Sequence, residues 1–550
     1  MPIAIIDGRE ISLGEHERLN GIEAARRAGV EIPHYCWHPG LSVVGSCRMC
    51  LVEVGMRDPK SGQITMLPKL VPACNTPVRD GTVLVTNSEK VARARAMVEE
   101  GLLLRHPIDC PVCDKAGECR LQDYHFRYGQ DERRADIRPF TSRRRDVGPD
   151  VTLFVDRCIL CSRCVRFCRE ITGTSELLIA NRGTHEEIEV LPEAPLNNKL
   201  SGNVVDLCPV GALGDKAFLY QQRVWFLKSH AGVCTGCATG CSTWVEENQD
   251  RVWRIRPREN PWVNRWWMCN DGRYDYPHVH DPRRILQPYR NDGGKQVLLD
   301  WNAVRAELLA AMKQAGRLAA VVSPLVTVEE AYLLGKLVRS LDPEAALVLG
   351  PVPVVGDDEK FPGGFTIAAE KCPNRRGVEA VVARLSGGAT SFEEFLTRVE
   401  QGEFGGVWVS GGYRTEWVSQ ATATRLAAAR LVVLQDLFPS PLADRATYVL
   451  PGAAFPERDG SYVNRHDRLQ SVRWAIRPPQ GVRPEGSLFW ELLGREGLYN
   501  ARQVLSEVAV EIGYFHVAGS AIPDVGVDLK VNLLGEGSGE SGTGRDVTSV

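Results

Sequence analysis

The chain has 550 residues, of which 43% are hydrophobic and 25% charged, and its formal net charge is −3. That length exceeds what one hydrophobic core supports and suggests about three to five domains, while the near-neutral charge gives no electrostatic case for nucleic acid as a partner. The N-terminal stretch from Met1 to Arg9 has neither the basic nor the apolar part of a secretion signal, and no apolar run is long enough to span a bilayer, so membrane association is expected only through partners. Seventeen Cys in such a chain point to a reducing compartment and metal ligation, not disulfides. All but Cys372 fall before residue 270, which places the metal chemistry in the first half of the chain.

Residues 1–86 read as a β-grasp domain of the 2Fe-2S ferredoxin kind. Ile3–Ile6 and Ile11–Leu13 form a hairpin about Asp7-Gly8, residues 22–28 form a short helix stopped by Gly29, and strand-like runs follow at 51–54, 64–71 and 81–86. Cys36, Cys47, Cys50 and Cys74 lie within it. The long first gap makes a loop able to wrap a flat 2Fe-2S core, and Gly40, Gly45 and Ser46 would let the backbone approach the sulfides. The spacing resembles that of plant-type ferredoxins without matching it. His34 and His38 flank Cys36 but form no Rieske-like Cys-x-His pairs, so both are assigned supporting or structural roles.

Residues 87–126 carry a predicted helix, 88–105, with Ser88 near its cap and Val91, Ala94, Val98 and Leu102 on one face. It delivers His106, Cys110, Cys113 and Cys119, one imidazole and three thiols. Such a set can hold a 4Fe-4S cluster of raised potential, or a structural zinc, which takes the same ligand types. The segment 127–147 is rich in Arg (Arg127, Arg133, Arg134, Arg138, Arg143, Arg144, Arg145) and reads as a solvated connection, or as a docking surface for a partner subunit.

Residues 127–225 form a ferredoxin-like 4Fe-4S unit. Cys158, Cys161 and Cys164 are spaced C-x2-C-x2-C, able to take three corners of a cube, and Cys208-Pro209 closes the fourth. In two-cluster ferredoxins the fourth Cys of a run binds the other cluster. Here the second triplet is missing, so Cys208 serves the first cluster and Cys168 serves none. Residues 226–282 hold a further set, Cys234, Cys237, Cys241 and Cys269, with Trp244, Trp253, Trp262, Trp266 and Trp267 expected either to shield it from water or to fill a small core.

Residues 283–530 change texture. Helix-like 301–314 and 327–341 alternate with strand-like 318–322, 346–349, 406–410 and 431–435, a pattern for a parallel α/β sheet. Residues 531–550 read as a Gly/Ser-rich tail. Its literal G-x-G-x-x-G at Gly537, Gly539 and Gly542 leads into no helix and carries no dinucleotide site.

Fifteen Cys and one His thus fill four sites of four ligands each: one 2Fe-2S and three 4Fe-4S clusters. Zinc cannot carry electrons, whereas clusters in series make a one-electron relay. The chain has no P-loop, credible dinucleotide fingerprint or G-x-S-x-G nucleophile, so neither NAD nor FMN is expected on it, and no catalytic residue is assigned. This order of sites, with Asp109 to Cys119 and Ser201 to Leu213 as supporting stretches, resembles the G subunit of the NADH:quinone oxidoreductase family, respiratory complex I. The resemblance implies electrons arriving from the NADH-oxidising flavin subunit and its 2Fe-2S companion. They would leave to a ferredoxin-like 4Fe-4S subunit of the peripheral arm, on the cytoplasmic face of the bacterial membrane. It also implies that the Cys234 cluster is an extra one, off the main route.

The second half resembles a reduced molybdopterin-oxidoreductase domain, through 433–438, 443–451 and 457–465. Three departures count against a working pterin. Asp271 stands where formate dehydrogenases of that family carry Lys, Cys372 lies in a setting unlike the family's metal ligand, and little chain follows Asn464. The rival readings are the catalytic subunit of an NAD-linked Mo/W formate dehydrogenase, a hydrogenase diaphorase subunit, and a zinc-stabilised interaction protein.

Overall fold

In the computed structural model, which describes residues 1–532 except 133, 142, 184, 192, 389 and 520, the chain opens with the expected hairpin. Ile3–Ile6 pairs antiparallel with Arg9–Ser12, and Asp7 (φ 47°) and Gly8 (φ 80°) take the left-handed geometry that a two-residue turn between twisted strands needs. Arg133 and the glycines at 537, 539 and 542 lie outside the described residues. A mixed sheet follows in the order Arg9–Ser12, Ile3–Ile6, Thr82–Val85, Leu51–Arg57, Ile64–Met66, with Val71–Pro72 also on Leu51–Arg57. Gly21–Arg27 packs on it. Asn20 and Glu23 cap that helix reciprocally, a signal that apolar periodicity passes over.

The helix Glu89–Leu103 starts at Ser88 as expected, but its buried face is rotated. Val91, Arg95, Ala96 and Glu99 are inside, because Arg95 lies over the Tyr128 ring and the Tyr35 hydroxyl donates to Glu99. The Arg-rich segment is, among its described residues, largely an exposed connection, as expected, but it is fastened at several points. Arg144–Asp146 is a strand on Val151–Phe154, Arg134 pairs with Glu100, Arg143 with the buried Asp156, and Arg145 with Glu189.

Two units result. The first comprises Met1–Lys228 with Trp266–Tyr274 and Lys360–Phe365, and the second Ser229–Arg265, Asp275–Glu359 and the chain from Thr366 on. The insertions are held specifically: Met268 and Asn203 exchange hydrogen bonds (3.1 and 2.8 Å), and Asn270 is bonded to Lys199, Ser201 and Asp150.

The second unit is built on a seven-stranded sheet. Leu318–Val322, Ala346–Leu349, Gly406–Ser410, Leu431–Asp436 and Tyr448–Pro451 are all parallel, and Tyr289–Asp292 and Lys295–Leu298 add an antiparallel edge. Its central strands are buried throughout, as fits a sheet covered by helices on both faces. The chain is mixed α/β, and among the described residues no helix is long and apolar enough to cross a membrane.

Candidate metal centres

The predicted 2Fe-2S residues come together as two pairs. Cys36 and Cys47 hydrogen bond to one another, and so do Cys50 and Cys74. In each pair the bond eases one thiol, Cys36 or Cys74, towards thiolate, while the same bond and burial raise Cys47 and Cys50. Two pairs suit a rhomb with two irons, each taking two thiolates. The Ser46 hydroxyl and the Ser46 and Cys47 N–H groups are directed at Cys36, the kind of donor that stabilises a ligating sulfur. Gly45 (φ 62°) supplies the turn. Gly40 has a different role from the one expected: a Cβ there would lie 2.7 Å from the Trp266 ring, so its bare backbone admits Trp266 and Trp267. His38 stacks on Trp267 and His34 bonds Ile32 O, both held neutral at about 3 by burial and neighbouring guanidiniums. Their supporting role stands.

Cys158, Cys161, Cys164 and Cys208 line one partly enclosed cavity with Leu153, Ile188, Val210 and Leu213. The loop curls around it through Leu160 (φ 52°) and Ser162 (φ 58°), left-handed positions that ordinary residues occupy only under constraint. Cys208 arrives at the end of the helix Asn203–Leu207. Burial and the other sulfurs raise Cys158 and Cys164, and push Cys161 up to about 11. Such thiols stay protonated until a metal core binds and displaces their protons. Among the described residues no three His, Cys, Asp or Glu side chains converge as they would on a single ion. A void ringed by four sulfurs instead suits a cluster, whose iron cube spaces its ligands apart.

His106, Cys110, Cys113 and Cys119 sit on one short stretch: Cys110 opens a turn of 3₁₀ helix, and Cys119 caps Arg120–Tyr128. Burial, with Arg157 adding to it, lowers His106 to about 4, which leaves the imidazole neutral and fit to ligate. Cys113 and Cys119 are raised by burial, Cys119 to about 11. This site abuts the previous one. A Cβ at Gly211 would collide with the Cys113 sulfur, the Arg120 N–H donates to Pro209 O (2.9 Å), and Arg157 Nε donates to Asp109 (3.0 Å).

Of the last set, Cys234, Cys237 and Cys241 lie in the second unit, on the loop between Lys228–Val233 and Ser242–Asn248, with Cys234 N bonded to Cys241 O (2.8 Å). Cys269 belongs to the first unit, where it caps Asn270–Arg273. The five tryptophans do not form one enclosure. Trp267 packs on His38 and Phe167 in the first unit, while Trp262 is 55% exposed beneath Arg468. Cys168 is buried in a π-helical turn with its thiol bonded to Glu176, and Cys372 donates to Glu370 (3.5 Å).

The parallel sheet changes strand direction of growth between Leu318–Val322 and Gly406–Ser410, where such sheets usually bind cofactors. The crevice is pinned by a hydrogen bond from Ser323 N–H to Ser410 Oγ (2.8 Å), and the helix Val328–Leu341 opens there with its N-terminal donors already capped by Thr327 and Glu330. Glu329, raised to about 8 by burial, accepts from Ser461 N–H and Oγ (both 2.8 Å), and Glu330 accepts from Arg458 (2.8 Å).

Sequence reading missed Arg157, Arg163, Arg166 and Gly211. The signal was available: two Arg lie inside the run Cys161-Ser-Arg-Cys-Val-Arg-Phe-Cys168, where a loop around a metal core has little room for large cations.

Residues 148–214 match the family described as NADH-quinone oxidoreductase subunit 3, ferredoxin-like domain, and 95–134 match the NADH-ubiquinone oxidoreductase-G iron-sulfur binding region. Over these residues the chain is similar to the complex I G subunit. Residues 4–89 match a 2Fe-2S iron-sulfur cluster binding domain, and 374–495 match molybdopterin oxidoreductase. The NADH-quinone oxidoreductase G subunit of Rickettsia felis is 37% identical over 338 residues, 61% of this chain and 48% of that protein. The mitochondrial 78 kDa NADH-ubiquinone oxidoreductase subunit of Candida albicans is 36% identical over 345 residues, 62% of this chain and 46% of that one. The chain therefore spans about half the length of the curated relatives it matches. A crystal structure of an NAD+-reducing [NiFe]-hydrogenase in the H2-reduced state is 30% identical, covering 40% of this chain and 91% of that one, with a TM-score of 0.32. The chain thus carries domains of both the 2Fe-2S and the 4Fe-4S kind.

Proposed function

We propose that this chain is an iron-sulfur electron-transfer subunit of the peripheral arm of an NADH:quinone oxidoreductase, moving single electrons from an NADH/FMN subunit towards quinone. Its β-grasp domain would hold one 2Fe-2S cluster on Cys36, Cys47, Cys50 and Cys74. Three 4Fe-4S clusters would sit on His106, Cys110, Cys113 and Cys119; on Cys158, Cys161, Cys164 and Cys208; and on Cys234, Cys237, Cys241 and Cys269. The observation that carries the reading is the cavity ringed by the sulfurs of Cys158, Cys161, Cys164 and Cys208, flanked by the Cys113 site through Gly211. Bound there, iron-sulfur clusters supply reversible one-electron chemistry. The protein's part is to present thiolates, keep His106 neutral, exclude water with apolar side chains and hold the sites side by side.

No molybdopterin, FMN or NAD is assigned to the chain. Its partners would be the flavin subunit with its 2Fe-2S companion and a ferredoxin-like 4Fe-4S subunit, and it would stay at the cytoplasmic face of the membrane through them. Anaerobic purification with neighbouring gene products tests this. Expected are co-elution with a flavoprotein, EPR signals of both cluster types on dithionite reduction, and roughly fourteen iron per chain, the sum over the four clusters. Molybdenum or tungsten at one per chain, or a colourless zinc protein, would overturn it.

A further inference from the structure

Arg166 and Arg163 are 2% and 4% exposed, among the most deeply buried cations of the chain. Arg166 spreads its guanidinium over two cysteine loops. It donates to Cys36 O and Ser42 O of the 36–50 loop, and to Cys161 O (3.3 Å) and Ser162 Oγ (3.3 Å) of the 158–164 loop. Arg163 does the same from the other side, donating to Trp37 O and to Leu207 O (3.2 Å), the carbonyl just before Cys208. The planar fork is suited to such a clamp, with several donors held in fixed directions.

Neither makes a hydrogen bond to a carboxylate among the described residues, although the Arg166 charge also acts on Glu170 four positions on. Every acceptor just named is a carbonyl or a hydroxyl. The acidic group nearest in sequence, Glu170, is taken up by Ser42 N (2.9 Å) and Ser42 Oγ (2.6 Å). Arg120 adds a third guanidinium, bonded to His34 Nε2 (3.3 Å), and this group of cations helps keep His34 and His38 neutral. An isolated buried charge costs several kcal/mol or more, so it persists where a counter-charge is present. The groups on either side that become anionic are the two cages of four thiols, once deprotonated around a metal core.

We infer that Arg166, with Arg163 beside it, is the counter-charge shared by the Cys36 and Cys158 clusters, and that it raises the reduction potential of both. The inference rests on the cluster reading above. Each cluster gains one negative charge on reduction, so a fixed cation between them favours both reduced states. Because one side chain bridges both loops, removing it shifts two potentials together, which a residue supporting a single fold element does not do.

The test is an anaerobic redox titration of the full chain with its clusters, followed by EPR, for the wild type, Arg166→Met and Arg166→Lys. If the wild type shows no cluster signals, the functional reading fails, and the inference fails with it. With signals present, Arg166→Met is expected to lower the reduced-to-oxidised ratio of both clusters about tenfold at fixed poise, about 59 mV for a one-electron couple. Arg166→Lys, which keeps the charge and loses the fork, should hold both within about threefold of wild type. Unchanged potentials in Arg166→Met, or a shift of only one cluster, overturn the inference. Should Arg166→Met fail to retain iron, Arg166→Lys decides alone: retained potentials support the shared counter-charge, and a tenfold fall at either cluster refutes it.

Discussion

Two buried guanidiniums beside the cysteine loops of the first unit are held differently from two in the second. In the second, Arg458 bonds Glu330 (2.8 Å) and Glu485 (3.1 Å), and Arg284 bonds both oxygens of Glu457 (2.6 and 2.7 Å), so each cation is neutralised by its own protein. In the first, Arg163 and Arg166 meet only carbonyls and hydroxyls. The contrast is local to the cysteine loops: elsewhere the first unit pairs Arg157 with Asp109 and Arg273 with Asp206, and the buried Arg258 of the second donates to Asp524 O.

Removing a ligand should have the largest effect on the comparison. Cys161→Ser is expected to lose about four iron per chain and one 4Fe-4S signal, measured by iron assay and EPR, while denaturation of the second unit is unchanged; loss of both together would merge what we treat as separate. Next, Arg458→Met leaves Glu330 and Glu485 buried without their cation and should destabilise the second unit by about 3–5 kcal/mol, with cluster potentials unmoved. Chemical denaturation followed alongside EPR checks both halves of that statement.

A smaller effect is expected at Gly211, where a methyl meets the Cys113 sulfur. Gly211→Ala should cost about 1–3 kcal/mol through overpacking and perturb the His106 cluster signal before that of the Cys36 cluster; an unaltered His106 signal would show that the two sites are less tightly joined. Smallest is a pH effect in the second unit. Burial raises Asp436 from 3.8 to about 6, although it accepts from Gly412 N and Trp417 Nε1. The folded state then holds a proton that the unfolded state has released, so this contribution is full below pH 3.8 and is lost as pH rises towards 6. Asp436→Asn should remove about 1 kcal/mol of the fall in stability between pH 5 and 7, read as a flatter dependence of the urea midpoint. A slope identical to wild type would place the titration elsewhere.

Much of the architecture was legible because it is local. Strands 318–322, 346–349 and 406–410 came out at their expected limits, since short, largely apolar runs between helical stretches have few other solutions. The helix Glu89–Leu103 was placed correctly and turned wrongly. Periodicity finds an apolar face, but here Arg95 and Glu99 are drawn inside by Tyr128 and Tyr35, which are distant in sequence. How the exposed Arg-rich segment is fastened was not legible either, because the carboxylates that hold it, Asp156 and Glu189, lie well downstream.

By itself the sequence determined which side chains could hold metal and in what groups, because ligand spacing is a matter of how far a short loop can reach around a small core. It also determined the alternation that makes the parallel sheet. Only the tertiary structure decided how the sites adjoin: Gly211 against Cys113, Trp267 against His38, and Arg166 between the loops of Cys36 and Cys161. Those contacts join residues up to 229 positions apart. No local pattern encodes them, and the charge they leave unpaired is visible only when every neighbour of a buried side chain has been placed.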